Sequence, residues 1–134
     1  MSNVFINDNM VIEINDASES EVDQVRHLYQ VVLDSSTISR APKVGWEYVN
    51  GLVRPKILPV TPRQMRQALI LYGVMSTIEA AFETFPEPTK SLALTEWEYS
   101  NEFDRYRPLV NSVRLLLGWT EDQTDELWAF ASTL

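Results

Sequence analysis

Three prolines within eight residues divide this 134-residue chain into two parts with different patterns. Pro55, Pro59 and Pro62 each restrict their own backbone φ and remove an amide donor, so the segment is a short, stiff, extended connection. Before it, short apolar runs flank turn-forming residues, and after it apolar residues recur every three or four positions. The sequence therefore predicts an α+β protein, with a β-rich region over 1–58 and a bundle of about five short helices over 59–134.

Two turn signals predict two hairpins in the first part. Asn7-Asp8-Asn9 separates two short apolar runs, and Asn50-Gly51 is typical of a two-residue type I′ turn. The second turn predicts the cross-strand pairs Val49 with Leu52, Tyr48 with Val53, Glu47 with Arg54, and Trp46 with Pro55. This register places the aromatic side chains on one face, toward a core, and an opposite-charge pair on the other.

A helix over about 19–33 is predicted between the two hairpins. Ser18 and Glu21 have the spacing of a capping box, and apolar residues follow at helical intervals. A rival interpretation is that residues 28–33 form a strand, because this stretch is rich in β-branched and aromatic residues. The sequence leaves both possibilities open for the second half of the segment.

Five short helices are predicted after the prolines. The first is expected from Pro62 to Gly73 with Thr61 as its N-cap, and the second over 75–85. The third is expected to begin at a cap, Thr89 or Ser91, and to run to about Arg107. The fourth is expected from Pro108 to Gly118, and the fifth from a capping box at Thr120 and Gln123 to residue 134. The large aromatic residues expected in the bundle core are Trp97, Tyr99, Phe103, Trp119 and Trp128. Because so small a bundle cannot bury every large ring, we expect one or two of them at an interface.

Residues that could carry catalysis or bind a metal are few. The chain has no cysteine, and His27 is its single histidine, which we expect at the surface. Glu98 and Glu102 lie four apart with Glu96 nearby, a spacing that could hold a divalent cation or form an acid/base pair. No further histidine completes such a site, and this spacing is also common on solvated helix faces. We therefore expect no catalytic residue, no metal and no cofactor.

The net charge of −8 is unevenly distributed along the chain. Residues 1–39 carry −6, residues 40–66 carry +5, and residues 67–134 carry −7. The basic middle could dock on the chain's own acidic flanks or present a patch to an acidic partner, and the sequence does not decide between them. The candidate partner-binding residues in this stretch are Trp46, Tyr48, Arg54, Lys56, Arg63 and Arg66. For the two aromatic residues, the alternatives are a core position or an exposed ligand platform.

Nucleic acid and membranes are not expected as partners. Binding to phosphates depends on clustered Lys and Arg, whereas this chain is acidic overall. Residues 62–85 could be read as a helix-turn-helix, but the second helix carries Glu79 and Glu83 and no base. The longest apolar stretch, 68–75, is much shorter than a membrane span, and the first residues lack the features of a secretory signal.

Two stretches resemble small proteins encoded in the tail modules of tailed phages, including tail-fibre assembly proteins. The first runs from Val44 to Pro55 and contains a GW-x-Y-x-NG element next to the proline-rich segment. The second is similar to the C-terminal helical region of such proteins, and its matching segments are 60–73, Glu96-Trp97-Glu98-Tyr99, Arg107-Pro108-Leu109-Val110 and Leu117-Gly118. Together the stretches cover about 90 residues in the same order.

This resemblance implies a non-enzymatic tail-associated protein, a chaperone or adaptor that assists assembly or attachment of tail fibres or receptor-binding proteins. The implied partners are tail fibre or other tail proteins, with a homo-oligomer compatible with tail symmetry. The implied location is the host cytoplasm during assembly. One alternative is a small structural subunit retained in the virion tail. Another, from a different class, is an acidic phage inhibitor of a host protein.

Overall fold

The computed structural model describes residues 2–35, 38 and 40–134 and divides the chain into two compact units. These units are Met1–Lys56 and Ile57–Leu134, and the sequence-based prediction placed the division two residues later. The first unit contains an antiparallel sheet, and the second contains five helices. The predicted α+β class is confirmed.

Five antiparallel strands form the sheet of the first unit. They are β1 (Asn3–Asn7), β2 (Met10–Asn15), β3 (Val31–Asp34), β4 (Glu47–Val49) and β5 (Leu52–Arg54), in the order β3-β1-β2-β4-β5. Helix α1 (Glu19–Val25) and a short 3-10 turn, Arg26–Leu28, connect β2 to β3. The helix predicted to residue 33 is therefore wrong in its second half, where the strand interpretation is correct. The reason is non-local, because Val31, Val32 and Leu33 pair with β1.

Both predicted hairpins are present. Asp8 and Asn9 have φ values of 50° and 58°, and Asn50 and Gly51 have φ values of 51° and 80°. Positive φ at both central residues is the requirement of a type I′ turn, which Asn and Gly meet at low cost. Three of the four predicted pairs of the second hairpin are observed: Glu47 with Arg54, Tyr48 with Val53, and Val49 with Leu52. The fourth is wrong, because Trp46 and Pro55 lie outside the paired strands.

The second unit contains all five predicted helices. They are α2 (Pro62–Leu71), α3 (Met75–Glu83), α4 (Thr89–Tyr99), α5 (Pro108–Leu117) and α6 (Glu121–Ala131). Thr61 and Thr120 begin α2 and α6 with complete capping boxes, in which each threonine hydroxyl accepts from the backbone of the glutamine three residues later. Gly118 ends α5 in the left-handed conformation, with φ of 69°.

Helix α4 differs from its prediction at both ends. It begins after Pro88 with no side-chain cap, so the predicted cap at Thr89 or Ser91 is wrong. It ends at Tyr99 instead of Arg107. Beyond it, the backbone N–H groups of Phe103 and Val60 donate to each other's carbonyl oxygens at 2.7 and 3.1 Å. These two hydrogen bonds hold the chain in an extended conformation that a continuing helix would not allow.

Four of the five aromatic residues predicted in the bundle core pack there. Trp128 is buried, and Trp97, Phe103 and Trp119 are half-buried against the core. Tyr99 is 73% exposed, so its predicted core position is wrong. Residues two apart on a helix do not share a face, and Trp97 occupies the face of α4 that packs inward.

Removal of the cap at Thr120 gives a first testable prediction. Thr120→Ala is expected to lower the free energy of unfolding by about 1 kcal/mol, because the backbone N–H of Gln123 loses its acceptor. Thr77→Ala, on an exposed position within α3, is the matched control and should change stability by less than about 0.5 kcal/mol. Urea unfolding followed by circular dichroism measures both, and equal effects would contradict a capping role.

Candidate functional site

The six predicted partner-binding residues are divided between the two units. Trp46, Tyr48, Arg54 and Lys56 belong to the sheet unit, whereas Arg63 and Arg66 belong to the helical unit. The structure thus groups them as a set of four and a set of two. Their role in partner binding stays a prediction, and the contacts of each set are described separately.

In the sheet unit, three of the four residues hold the second hairpin. Trp46 and Tyr48 are half-buried and pack against the sheet core. The Arg54 Nε donates to Glu47 Oε1 at 2.9 Å, as the register predicted. The Arg40 guanidinium lies 5.2 Å from the centre of the Trp46 ring, at cation–π distance. These contacts give both rings a packing role in the hairpin.

In the helical unit, Arg66 is held by an aromatic residue of α4. Its Nη2 donates to the Trp97 carbonyl oxygen at 2.6 Å, and its guanidinium lies 4.9 Å from the centre of the Trp97 ring. Arg63 is exposed and donates to Gln67 Oε1 at 2.8 Å. Of the six candidates, Lys56 and Arg63 are therefore the exposed cations.

The carboxylates considered for chemistry do not form the predicted pair. Because α4 ends at Tyr99, Glu102 lies outside the helix and does not share a face with Glu98. Both side chains are exposed, as is His27. Among the described residues, no group of three or more acidic, histidine or cysteine side chains is placed to hold a metal ion.

One recess of the helical unit is an apolar pocket of about 80 Å³. All five helices of the unit and the segment after α4 contribute to it. Six of the residues that form its walls are Met65, Phe82, Trp97, Val113, Trp119 and Leu127. Its surface is almost entirely apolar, so it suits an apolar group and offers little to a polar substrate.

The side chains with which helix α5 lines this pocket are half-buried, and none is fully buried. Leu109, Val110 and Val113 line the pocket, and none of the residues of α5 is fully buried. Near its end, Leu115 and Leu116 are 63% and 52% exposed. These two exposed leucines add apolar surface on the same helix, which a protein partner could cover.

Charged residues stand at the rim of the pocket. Arg114 Nη2 donates to Asn111 Oδ1 at 2.6 Å, and Arg107 Nη1 donates to Ser100 Oγ at 3.0 Å. Glu96 is exposed and forms no ion pair with any described residue. The rim therefore combines arginines that are already hydrogen-bonded with a solvated carboxylate.

A second, more open depression of about 350 Å³ shares Trp119 with the pocket. Its other lining residues are Tyr72, Gln123 and Glu126. The Tyr72 ring stacks on Phe130, with 5.2 Å between ring centres and 19° between planes. Because Trp119 lines both recesses, they neighbour each other on the surface of the helical unit, and we call the two together the Trp119 path.

Arg105 fixes the segment that forms one wall of the pocket. Its side chain is buried, and its Nε donates to Asp125 Oδ1 of α6 at 2.8 Å. Its Nη2 also reaches the Glu121 carbonyl oxygen at 3.3 Å. Phe103 lies two residues earlier, and its carbonyl oxygen accepts from Trp128 Nε1 at 3.0 Å. These bonds attach the segment after α4 to the last helix.

Two titratable groups have shifted pKa values. The pKa of Tyr29 is raised, first by desolvation and then by the nearby Glu13 carboxylate. The pKa of Lys90 is raised by its hydrogen bond to Glu83, with 2.5 Å between Nζ and Oε2. Both shifts favour the protonated form that each group already has at neutral pH, so neither prepares a general base.

Comparison with known proteins identifies no relative. A scan against protein-family models and searches of curated proteins and of solved structures all give no match. Within the described residues, no helix has the length and apolar character to cross a membrane.

Proposed function

We propose that this chain is a non-enzymatic phage tail-associated protein that assists the assembly or attachment of tail fibre or receptor-binding proteins. The resemblance of the GW hairpin and of the helical region to tail-module proteins supports the biological setting. The apolar pocket of the helical unit supports a protein-binding role. This pocket is the observation on which the proposed mechanism depends.

The apolar pocket by itself is smaller than the usual site for a metabolite. Pockets for cofactors and drug-sized ligands usually measure about 300–1,000 Å³, and a buried cavity of about 150 Å³ accommodates benzene. At about 80 Å³, this pocket can take the end of one apolar side chain. A single anchoring side chain in an apolar pocket is a common centre of protein–protein interfaces.

The proposed role requires binding and no chemistry. During assembly in the host cytoplasm, the helical unit would cover an apolar side chain of a fibre protein and keep it from non-specific association. The exposed Leu115 and Leu116 would extend the contact beyond the pocket itself. The separate sheet unit leaves a second surface for another tail component.

Co-expression with the tail fibre protein of the same phage or prophage tests this role. The tagged full chain is expected to co-purify with the fibre protein and to raise its soluble yield. Val113→Trp, which places a large ring in the pocket, should reduce co-purification about tenfold, equivalent to about 1.4 kcal/mol. Val44→Trp, at an exposed position of the sheet unit, is the matched control. Failure of the unmodified chain to capture any tail protein would contradict the proposal.

Mass spectrometry of purified particles separates a transient assembly factor from a retained subunit. A transient factor is expected to be missing from particles or present far below the copy number of the fibre. A stoichiometric copy number would instead establish the chain as a structural subunit of the virion tail.

A further inference from the structure

The accessible charge of the helical unit is almost entirely negative. The structure describes all of residues 57–134, and eight of their eleven carboxylate side chains are exposed. These are Glu79, Glu83, Glu87, Glu96, Glu98, Glu102, Asp122 and Glu126. Of the six basic side chains in the same range, Arg63 alone is exposed.

The other basic side chains of this unit are occupied by internal contacts. Arg66 lies on the Trp97 ring, and Arg105 is buried against Asp125. Lys90 pairs with Glu83, and Arg114 Nη2 lies 3.7 Å from Glu121 Oε1. Arg107 donates one hydrogen bond, to Ser100. The positive charges of the unit thus stabilise its own fold, whereas most of its negative charges face solvent.

The exposed charges beside the two recesses are negative. Glu96, Asp104, Arg107 and Arg114 all line the pocket, and of these four only Glu96 is exposed. Glu126, which is also exposed, lines the recess that shares Trp119 with the pocket. Solvated carboxylates beside an apolar pocket are complementary to a basic segment, because unlike charges favour both the encounter and the register of the bound chain. The charge distribution along the sequence did not indicate this, since its basic middle had suggested docking on the chain's own acidic flanks or on an acidic partner.

We propose that the Trp119 path binds a basic polypeptide segment of a partner protein. The end of one apolar side chain of the segment enters the pocket, and flanking Lys or Arg side chains face Glu96 and Glu126. This inference rests on the proposed role as a protein-binding tail factor and names the chemistry of its partner. A polypeptide segment suits this pair of recesses because it can place one side chain in the pocket and extend past Trp119 into the second recess.

Arg107 is compatible with this occupant. Its guanidinium carries five N–H donors, one of which the Ser100 hydroxyl uses. Main-chain carbonyl oxygens, which every polypeptide segment supplies, are suitable acceptors for the remaining donors. Arg107 therefore provides backbone recognition that is independent of the charge on the partner's side chains.

Selection of random peptides displayed against the immobilised full chain tests the proposal. We expect enrichment of peptides that carry one large apolar residue flanked by Lys or Arg. Their binding should weaken about tenfold for Val113→Trp and fall as salt increases. Enrichment of acidic peptides, binding that is unchanged in Val113→Trp, or no enrichment at all would overturn the proposal.

Charge reversal at the rim tests the same point without disturbing the core. Glu96→Lys combined with Glu126→Lys should lower the affinity of a selected basic peptide about tenfold at low salt. Glu79→Lys combined with Glu98→Lys makes the same change in net charge at exposed positions outside both recesses. Equal losses for the two pairs would show that net charge alone attracts the peptide and would overturn the rim assignment.

Two further outcomes distinguish this inference from the proposed function. If the chain captures the fibre protein equally well with and without Val113→Trp, the function stands and the pocket assignment fails. If basic peptides are selected but no tail protein is captured, the assignment stands and the function fails. A concentration-dependent dimer in sedimentation that Val113→Trp abolishes would identify a second copy of this chain as the occupant and overturn the proposal.

Discussion

Replacement of Arg105 by alanine is expected to lower the free energy of unfolding of the helical unit by about 3 kcal/mol. The Arg105 side chain is 3% exposed and donates from Nε to Asp125, whose side chain is 17% exposed. Removal of one partner from a buried ion pair leaves the other charge poorly solvated, which typically costs about 3–5 kcal/mol. We take the lower end of this range because Asp125 retains some contact with water. Urea unfolding followed by circular dichroism measures the change.

Two further variants establish the origin of that loss. Arg105→Met combined with Asp125→Leu replaces both charges with apolar groups, so it should cost less than Arg105→Ala alone. Arg63→Ala removes an exposed arginine of the same unit and should change stability by less than about 0.5 kcal/mol. If the double variant were as unstable as Arg105→Ala, the lost packing of the side chain, and not the broken ion pair, would explain the effect.

Arg105 also shows why part of the candidate site could not be predicted. Its sequence neighbours gave no indication that it would be buried, because its partners belong to α6. The end of α4 at Tyr99 has the same kind of cause, since Val60 pairs with Phe103 across a long stretch of chain. Periodicity alone favours continuation of the helix, and the competing contact is not local.

The features predicted correctly depend on residues close together in sequence. The turn at Asn50-Gly51 requires positive φ at two adjacent positions, and the helix starts at Thr61 and Thr120 require a glutamine three residues later. Strand β3 was left open because Val31 and its neighbours suit a helix or a strand until β1 is present as a partner.

The apolar pocket was missed because its walls come from five helices and the segment after α4. One signal was available in α5, where Leu115 and Leu116 add apolar surface beyond the face formed by Leu109 and Val113. A helix with more apolar residues than one packed face can bury suggests a second contact. The basic stretch over residues 40–66 was a poorer indicator of a partner-binding surface, because Arg54 and Arg66 contribute to internal contacts.

Replacement of Phe82 by alanine is expected to have the largest effect on the helical unit, a loss of about 3–5 kcal/mol in the free energy of unfolding. Phe82 is 2% exposed, and its ring centre lies 5.5 Å from that of Trp97 and 6.4 Å from that of Phe85. The substitution removes apolar burial and leaves a cavity that the surrounding helices can fill only in part. Chemical denaturation with circular dichroism measures the loss.

Phe82 lines the pocket as well as the core, so its removal should also enlarge the recess. Phe85→Ala is the matched control, because Phe85 is half-buried and its loss should cost less. Phe82→Leu keeps most of the apolar volume and should recover much of the stability while changing the shape of the pocket. If Phe82→Leu folded stably but bound selected peptides as the unmodified chain does, this wall of the pocket would not contact the anchoring side chain. If Phe82→Ala cost less than about 1 kcal/mol, the packing of α3 against Trp97 would not be a main source of stability in the unit.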